Sequence, residues 1–162
     1  MLITDITGHE WTVDCVGCAI ATGELPPPGG KIIETEHFIL HQDPEVPIKA
    51  FLIVASKQHV KSIADLTAEE AQEFFDLVFR ARWAMQMIED IREVTLIQEE
   101  RSEHLHLWLL PRYGWMNSWF NNSLTSVRKM LDYMKEHGKN EKALQDILAA
   151  VELIKKTLEE KK

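Results

Sequence analysis

His104 and His106 stand two residues apart in the run His104-Leu105-His106-Leu107-Trp108-Leu109-Leu110, which Pro111 closes. Side chains alternate along a strand, so His104, His106 and Trp108 are expected on one face and Leu105, Leu107 and Leu109 on the other. Burying the leucines would anchor the strand and leave two imidazoles side by side. Such imidazoles can ligate a metal, attack an electrophile or shuttle protons near neutral pH. A sheet face that merely carries histidines has the same pattern, so the chemistry depends on what else the chain supplies.

The only cysteines, Cys15 and Cys18, are spaced as Cys-Val-Gly-Cys. In a protein with no other cysteine this spacing suggests metal or redox chemistry more than a structural disulfide. A redox pair would favour the start of a helix after a strand. Here Pro26-Pro27-Pro28-Gly29-Gly30 follows closely, and a short turn leading into a loop is expected. Zinc takes about four ligands, so the two sulfurs are half a site and histidines must complete it.

The positioning elements are legible by periodicity. Lys31–Thr35 and His37–Leu40 read as strands, Asp43-Pro44-Glu45-Val46-Pro47 as a turn, and Phe51–Ala55 as a buried strand. Thr67-Ala68-Glu69-Glu70 is a capping box that opens a long amphipathic helix to about Ile91, with Phe74, Val78, Ala81, Met85 and Ile88 on its apolar face. Glu93–Gln98 is a further strand, and a charged turn at Glu99–Glu103 joins it to the histidine strand, so the two should pair antiparallel. Beyond residue 122 come two helical stripes. Leu124, Val127, Met130, Leu131 and Met134 form the first, ended by Gly138; Leu144, Ile147, Leu148, Val151, Ile154 and Leu158 form the second. The lysine- and glutamate-rich end is expected to fray. The chain thus divides into a domain over residues 1–122 and a helical extension over 123–162, packed on the same domain or on a dimer.

A length of 162 residues with 45% hydrophobic and 27% charged residues fits one globular domain. No apolar run reaches the roughly 20 residues needed to span a bilayer. The first residues do not read as a signal peptide, and a cytoplasmic location is the default. A net charge of −8 argues against binding duplex nucleic acid, which depends on neutralising phosphates, while a single bound nucleotide is compatible with it.

Taken in order, Cys-x-x-Cys, Lys57-Gln58-His59 at the end of a strand, and His-x-His-x-x-x-x-Pro-Arg resemble the histidine triad (HIT) superfamily over Asp14 to Arg112. That resemblance implies an α+β fold, an antiparallel sheet with a long helix, usually paired as a homodimer. It implies cleavage or transfer of nucleoside monophosphates from a nucleotide or dinucleotide, through a nucleotidyl-histidine at His106. Asp43 falls where the family holds the ribose. In zinc-bearing members the ligand set carries over to Cys15, Cys18, His59 and His104. Two sulfurs and two imidazole nitrogens would close a tetrahedral site, which is structural rather than catalytic.

The chain also departs from the family pattern. The third histidine of the triad is Trp108, and the histidine that serves the leaving group is Phe51. A turn rich in glycine and serine that cups the phosphate is replaced by Glu99-Glu100-Arg101-Ser102-Glu103. Arg101 or Arg112 could supply a phosphate contact through its guanidinium fork, with Trp108 beside the substrate, whereas the three glutamates would oppose an anion facing them. A hexose-phosphate uridylyltransferase branch lacks the third histidine too. Besides a nucleotide hydrolase or nucleotidyl transferase, the alternatives are a decayed nucleotide-binding protein and a zinc-stabilised dimeric interaction module. His9, His37, His41 and His137 lack motif context and are expected in solvent or at a rim. The aromatic segment Tyr113–Phe120, Trp11 and Trp83 are expected to pack in a core or interface.

Overall fold

In the computed structural model, which describes residues 1–121 and 123–160, a small hairpin of β1 (Leu2–Thr4) and β2 (Glu10–Thr12) leads into the helix α1 (Val16–Thr22). The main sheet follows: β3 (Ile33–Glu34), β4 (Phe38–Gln42), β5 (Leu52–Ser56), β6 (Glu93–Gln98) and β7 (His106–Arg112). Its order is β3-β4-β5-β7-β6, antiparallel throughout. The expected α+β architecture is therefore what forms.

Alternation divides this sheet chemically. Leu40, Leu52, Val54, Leu107 and Leu109 share one face and pack under the long helix α2 (Ala68–Ala84), against Phe74, Leu77, Val78 and Ala81. Burying each such leucine is worth on the order of 1.5–3 kcal/mol, enough to hold β7 in place with its other face free for chemistry. That other face carries His106 opposite Ala55, then Trp108 opposite Ile53, with Ile53 in turn opposite His41. α2 starts as its capping box requires: Thr67 Oγ1 accepts the Glu70 N–H at 3.2 Å, and the Glu70 carboxylate accepts the Thr67 N–H at 2.8 Å. It ends at Ala84 in a short 3-10 turn over Met85–Met87, somewhat before Ile91.

Several boundaries differ from the sequence reading. The histidine strand starts at His106, not His104, and runs through Pro111 to Arg112. Pro111 is tolerated because pairing with β5 stops at Leu109; beyond it only β6 remains alongside, and one missing N–H is cheap there. Cys15 and Cys18 lie at the start of α1, a helix rather than a turn leading into a loop, with Cys15 as its N-cap residue. Of the end expected to fray, the described residues are helical to Glu160. Past α3 (Gly114–Trp119) and α4 (Val127–His137), helix α5 (Glu141–Glu160) stays helical because Thr157 and Leu158 are buried. α5 also supplies Ala150, Ile154 and Leu158 to the core beneath α2, so it is a wall of the main core. Tyr113, Met116, Val127, Met130 and Leu131 form a second core with Phe51 and Leu110, and Trp115 and Phe120 pack partly against it, whereas Trp119 stays exposed, contrary to the expectation for the aromatic segment. No helix among the described residues is long and apolar enough to cross a membrane.

Candidate active site and metal centre

Cys15, Cys18, His59 and His104 come together from three places in the chain: the start of α1, the loop after β5 and the residue pair leading into β7. One ligand atom from each lies within 4.8 Å of all the others. Cys15 Sγ is 3.3 Å from His104 Nδ1, Cys18 Sγ is 3.3 Å from His59 Nδ1 and 3.6 Å from His104 Nδ1, and the two Nδ1 atoms are 3.4 Å apart. A tetrahedral zinc with sulfur at about 2.3 Å and nitrogen at about 2.0–2.1 Å needs sulfur–nitrogen edges of about 3.5 Å and nitrogen–nitrogen edges of about 3.4 Å. The donor set fits the ion.

The surroundings favour the metal over the redox reading. His104 Nε2 donates to the Ser56 carbonyl at 2.7 Å, which fixes the proton there and turns the Nδ1 lone pair toward the sulfurs. Burial holds the His104 imidazole below its usual value, so the neutral, ligating form is favoured. Burial and the adjacent Cys15 thiol push Cys18 up, so a metal binding there would release its proton. Gly17 makes the approach possible. A Cβ there would stand 2.5 Å from His104 Cδ2 and 2.6 Å from its Nε2, so only glycine lets α1 lie against the ring.

Two residues on, His106 is half-buried and borders a cavity of about 550 Å³ with His41, Asp43, Ile53, Ala55 and Trp108. Its Nδ1 donates to the backbone carbonyl of His104 at 2.8 Å, with Ser102 Oγ at 3.4 Å. A carbonyl can only accept, so the proton sits on Nδ1 and the lone pair on Nε2. Asp43 lies past the end of β4. Its Oδ1 accepts the N–H groups of Glu45 and Val46 at 2.8 and 2.7 Å, making the expected turn. Burial pushes its carboxyl up to about 6, against the pull of those two N–H groups.

Of the residues singled out for substrate, Asp43, Arg101 and Trp108 border this cavity. Arg112 does not: it is buried at the far end of β7, opposite Glu93. Glu103 is occupied by Lys61 at 2.9 Å, and Glu100 accepts the Ser62 hydroxyl at 2.6 Å. Phe51 is fully buried in the second core and meets Trp108 edge to face, with centroids 5.6 Å apart. The two positions that depart from the family pattern therefore seal against each other as apolar packing.

His41 is the residue that the sequence reading misplaced. It is not at the rim or in solvent but 1% exposed, in the wall of the cavity. The signal was present: His41 and Ile39 share a parity in a strand that is apolar up to His41, and the strand pairs with Leu52–Ser56. Only the cross-strand register decides which face that parity selects. His37 is half-buried and paired with Glu73, while His9 and His137 are exposed.

No family model matches the chain. Protein hit of Bacillus subtilis (strain 168) is 29% identical over 107 residues, 62% of this chain and 72% of the relative. Among solved structures, a hypothetical histidine triad nucleotide-binding protein from Sulfolobus tokodaii aligns with a TM-score of 0.64 and 17% identity over 90% of this chain and 93% of its own. A zinc-bound histidine triad family protein from Mycobacterium smegmatis aligns with a TM-score of 0.57 and 20% identity over 89% of this chain and 97% of its own. The chain therefore has the fold of these histidine triad proteins. A match to 90% of the chain must include much of the C-terminal helical part, so the structural likeness extends beyond Asp14 to Arg112.

Proposed function

We propose that this protein cleaves or transfers nucleoside monophosphates, with His106 as the nucleophile. The observation that carries the reading is the His106 Nδ1–H held by the His104 carbonyl at 2.8 Å beside a cavity bordered by Asp43. In that tautomer Nε2 attacks phosphorus, a P–N bond forms, and the bond to the leaving group breaks with its electron pair. Water or another acceptor then attacks the nucleotidyl-histidine, returning the lone pair to Nε2. Asp43 is read as the ribose ligand and Arg101 as the phosphate contact. The family pattern supports this reading, as does the fold shared with a hypothetical histidine triad nucleotide-binding protein from Sulfolobus tokodaii.

Cys15, Cys18, His59 and His104 are read as a zinc site. With four protein ligands and no open position, zinc there would supply rigidity to the turn that presents His106. The reading also includes a homodimer. β6 is an edge strand whose Leu96 is 51% exposed, and α2 presents Phe75 and Phe79 to solvent. Apolar side chains on an edge strand and an outer helix face suit a subunit contact.

The Phe51–Trp108 contact favours a second reading, a nucleotide-binding protein of this fold with little turnover. One assay separates the two. Wild type and His106→Ala are compared for release of nucleoside monophosphate from a nucleoside phosphoanhydride and for equilibrium binding of the monophosphate. Turnover lost in the variant with binding retained supports the first reading. Binding without turnover in wild type supports the second.

A further inference from the structure

We propose that His41 reads the nucleoside: its Nε2 accepts a hydrogen bond from an N–H or O–H donor on the base or sugar. The inference rests on the cavity being a nucleotide site, as proposed above.

His41 shares a sheet face with His106. Cross-strand pairing sets His41 beside Ile53 and Ile53 beside Trp108, one two-residue step along from the Ala55–His106 pair. With strands about 4.8 Å apart and a rise of about 3.3 Å per residue, the backbones of His41 and His106 lie roughly 12 Å apart. A nucleoside 5′-phosphate laid across Ala55 and Ile53 bridges that gap, with its phosphate at His106. Small or smooth side chains at both intervening positions keep the path clear, and all four residues border the cavity.

The ring is oriented for accepting. His41 Nδ1 lies 2.8 Å from the Gln42 carbonyl, which can only accept, so the proton is on Nδ1 and Nε2 carries the lone pair. Burial pushes its imidazole down to about 4, so it is neutral at physiological pH and cannot act as a cationic phosphate clamp or a general acid. A buried acceptor is costly to leave unmet, and this gives it discriminating power. A ligand lacking the matching donor is rejected, since it displaces water from Nε2 without replacing the bond.

Isothermal titration of the full-length protein with AMP, GMP and CMP tests this. The tightest binder is then compared with its 2′-deoxy and 3′-deoxy forms, with the analogue of the same base lacking the exocyclic amine and, for GMP, with the N1-methyl form that lacks the ring N–H. One deletion should weaken wild-type binding roughly 3- to 10-fold, the size of one neutral hydrogen bond. Which deletion does so tells base from sugar. His41→Leu should weaken the parent nucleotide by the same factor and leave that analogue unchanged, and His41→Gln should restore part of the preference. Equal weakening of parent and analogue in His41→Leu means a structural role and overturns the inference. So does a wild type indifferent to every deletion, a result that needs no variant to fold. Absence of binding by all three nucleotides overturns the nucleotide reading as well, and so is distinguishable from failure of this inference alone.

Discussion

The backbone carbonyl of His104 accepts the Nδ1–H of His106 at 2.8 Å, while the imidazole of the same His104 joins the cluster of two thiols and a second histidine. A single residue thus fixes both the tautomer of His106, the proposed nucleophile, and the anchor of the turn ahead of β7. Glu103, just before it, adopts a left-handed backbone with φ 64°, a conformation that a non-glycine residue takes at some cost. Holding that turn is the task assigned to the proposed zinc site, and the consequences for stability are direct.

Purified protein should carry close to one zinc per chain, and both Gly17→Ala and Cys18→Ser should lower zinc content and melting temperature together. The first removes no ligand; its methyl would collide with the ring of His104 at 2.5 Å and displace it from the cluster. Elemental analysis and thermal melts with and without a chelator check this. Wild type free of metal after growth in zinc-replete medium, with both thiols freely titratable, would refute it.

The sequence pattern alone suggests that histidine restored at position 51 would rescue poor leaving groups. Burial of Phe51 reverses that expectation. Phe51→His places a polar ring in a sealed core against Trp108, at a cost of about 2–4 kcal/mol, and should not accelerate turnover. Urea denaturation and the turnover of a nucleoside phosphoramidate measure the two effects. A stable variant with faster amine release would show that position 51 faces substrate.

With Trp108 and Phe51 in those places, and His41 held neutral, no imidazole acid is assigned to the leaving group. General acid assistance contributes roughly a hundred- to ten-thousand-fold. Turnover should therefore fall steeply as leaving-group pKa rises, from phosphoanhydrides to amines. A flat dependence across such a series would mean that another residue delivers the proton.

Away from the site, the hydrogen bond from His37 Nδ1 to Glu73 at 2.7 Å raises the His37 imidazole above its ordinary 6.5. The folded state then binds the proton more tightly than the unfolded chain. The contribution is present in full below pH 6.5 and is lost as pH rises through the elevated folded value. His37→Ala should thus lower stability more at pH 6 than at pH 9, in melts recorded across that range. An equal loss at both would mean that the pair contributes through packing alone.

The capping box, the period of α2 and the turn at Asp43 were legible because each is set by local chemistry. So was the gathering of Cys15, Cys18, His59 and His104, once an ordered set of motifs was compared with a known family. The placement of His41, Phe51 and Arg112 was not legible. A strand's parity can be read from its residues, but which parity faces a cavity, and how far along β7 that cavity extends, is decided by register between strands far apart in sequence. The role of α5 was hidden for a related reason. An apolar stripe shows that a helix packs, and only the tertiary fold shows that it packs beneath α2.

The central claim is that His106 Nε2 forms a bond to phosphorus. Its most direct test is intact-protein and peptide mass spectrometry after rapid acid-free quenching of the full-length protein with a nucleoside 5′-phosphorimidazolide. The account predicts an added mass of one nucleoside monophosphate on the peptide containing His106, absent from a folded His106→Ala variant. Equal labelling of the two proteins, or an adduct confined to another residue, would contradict it.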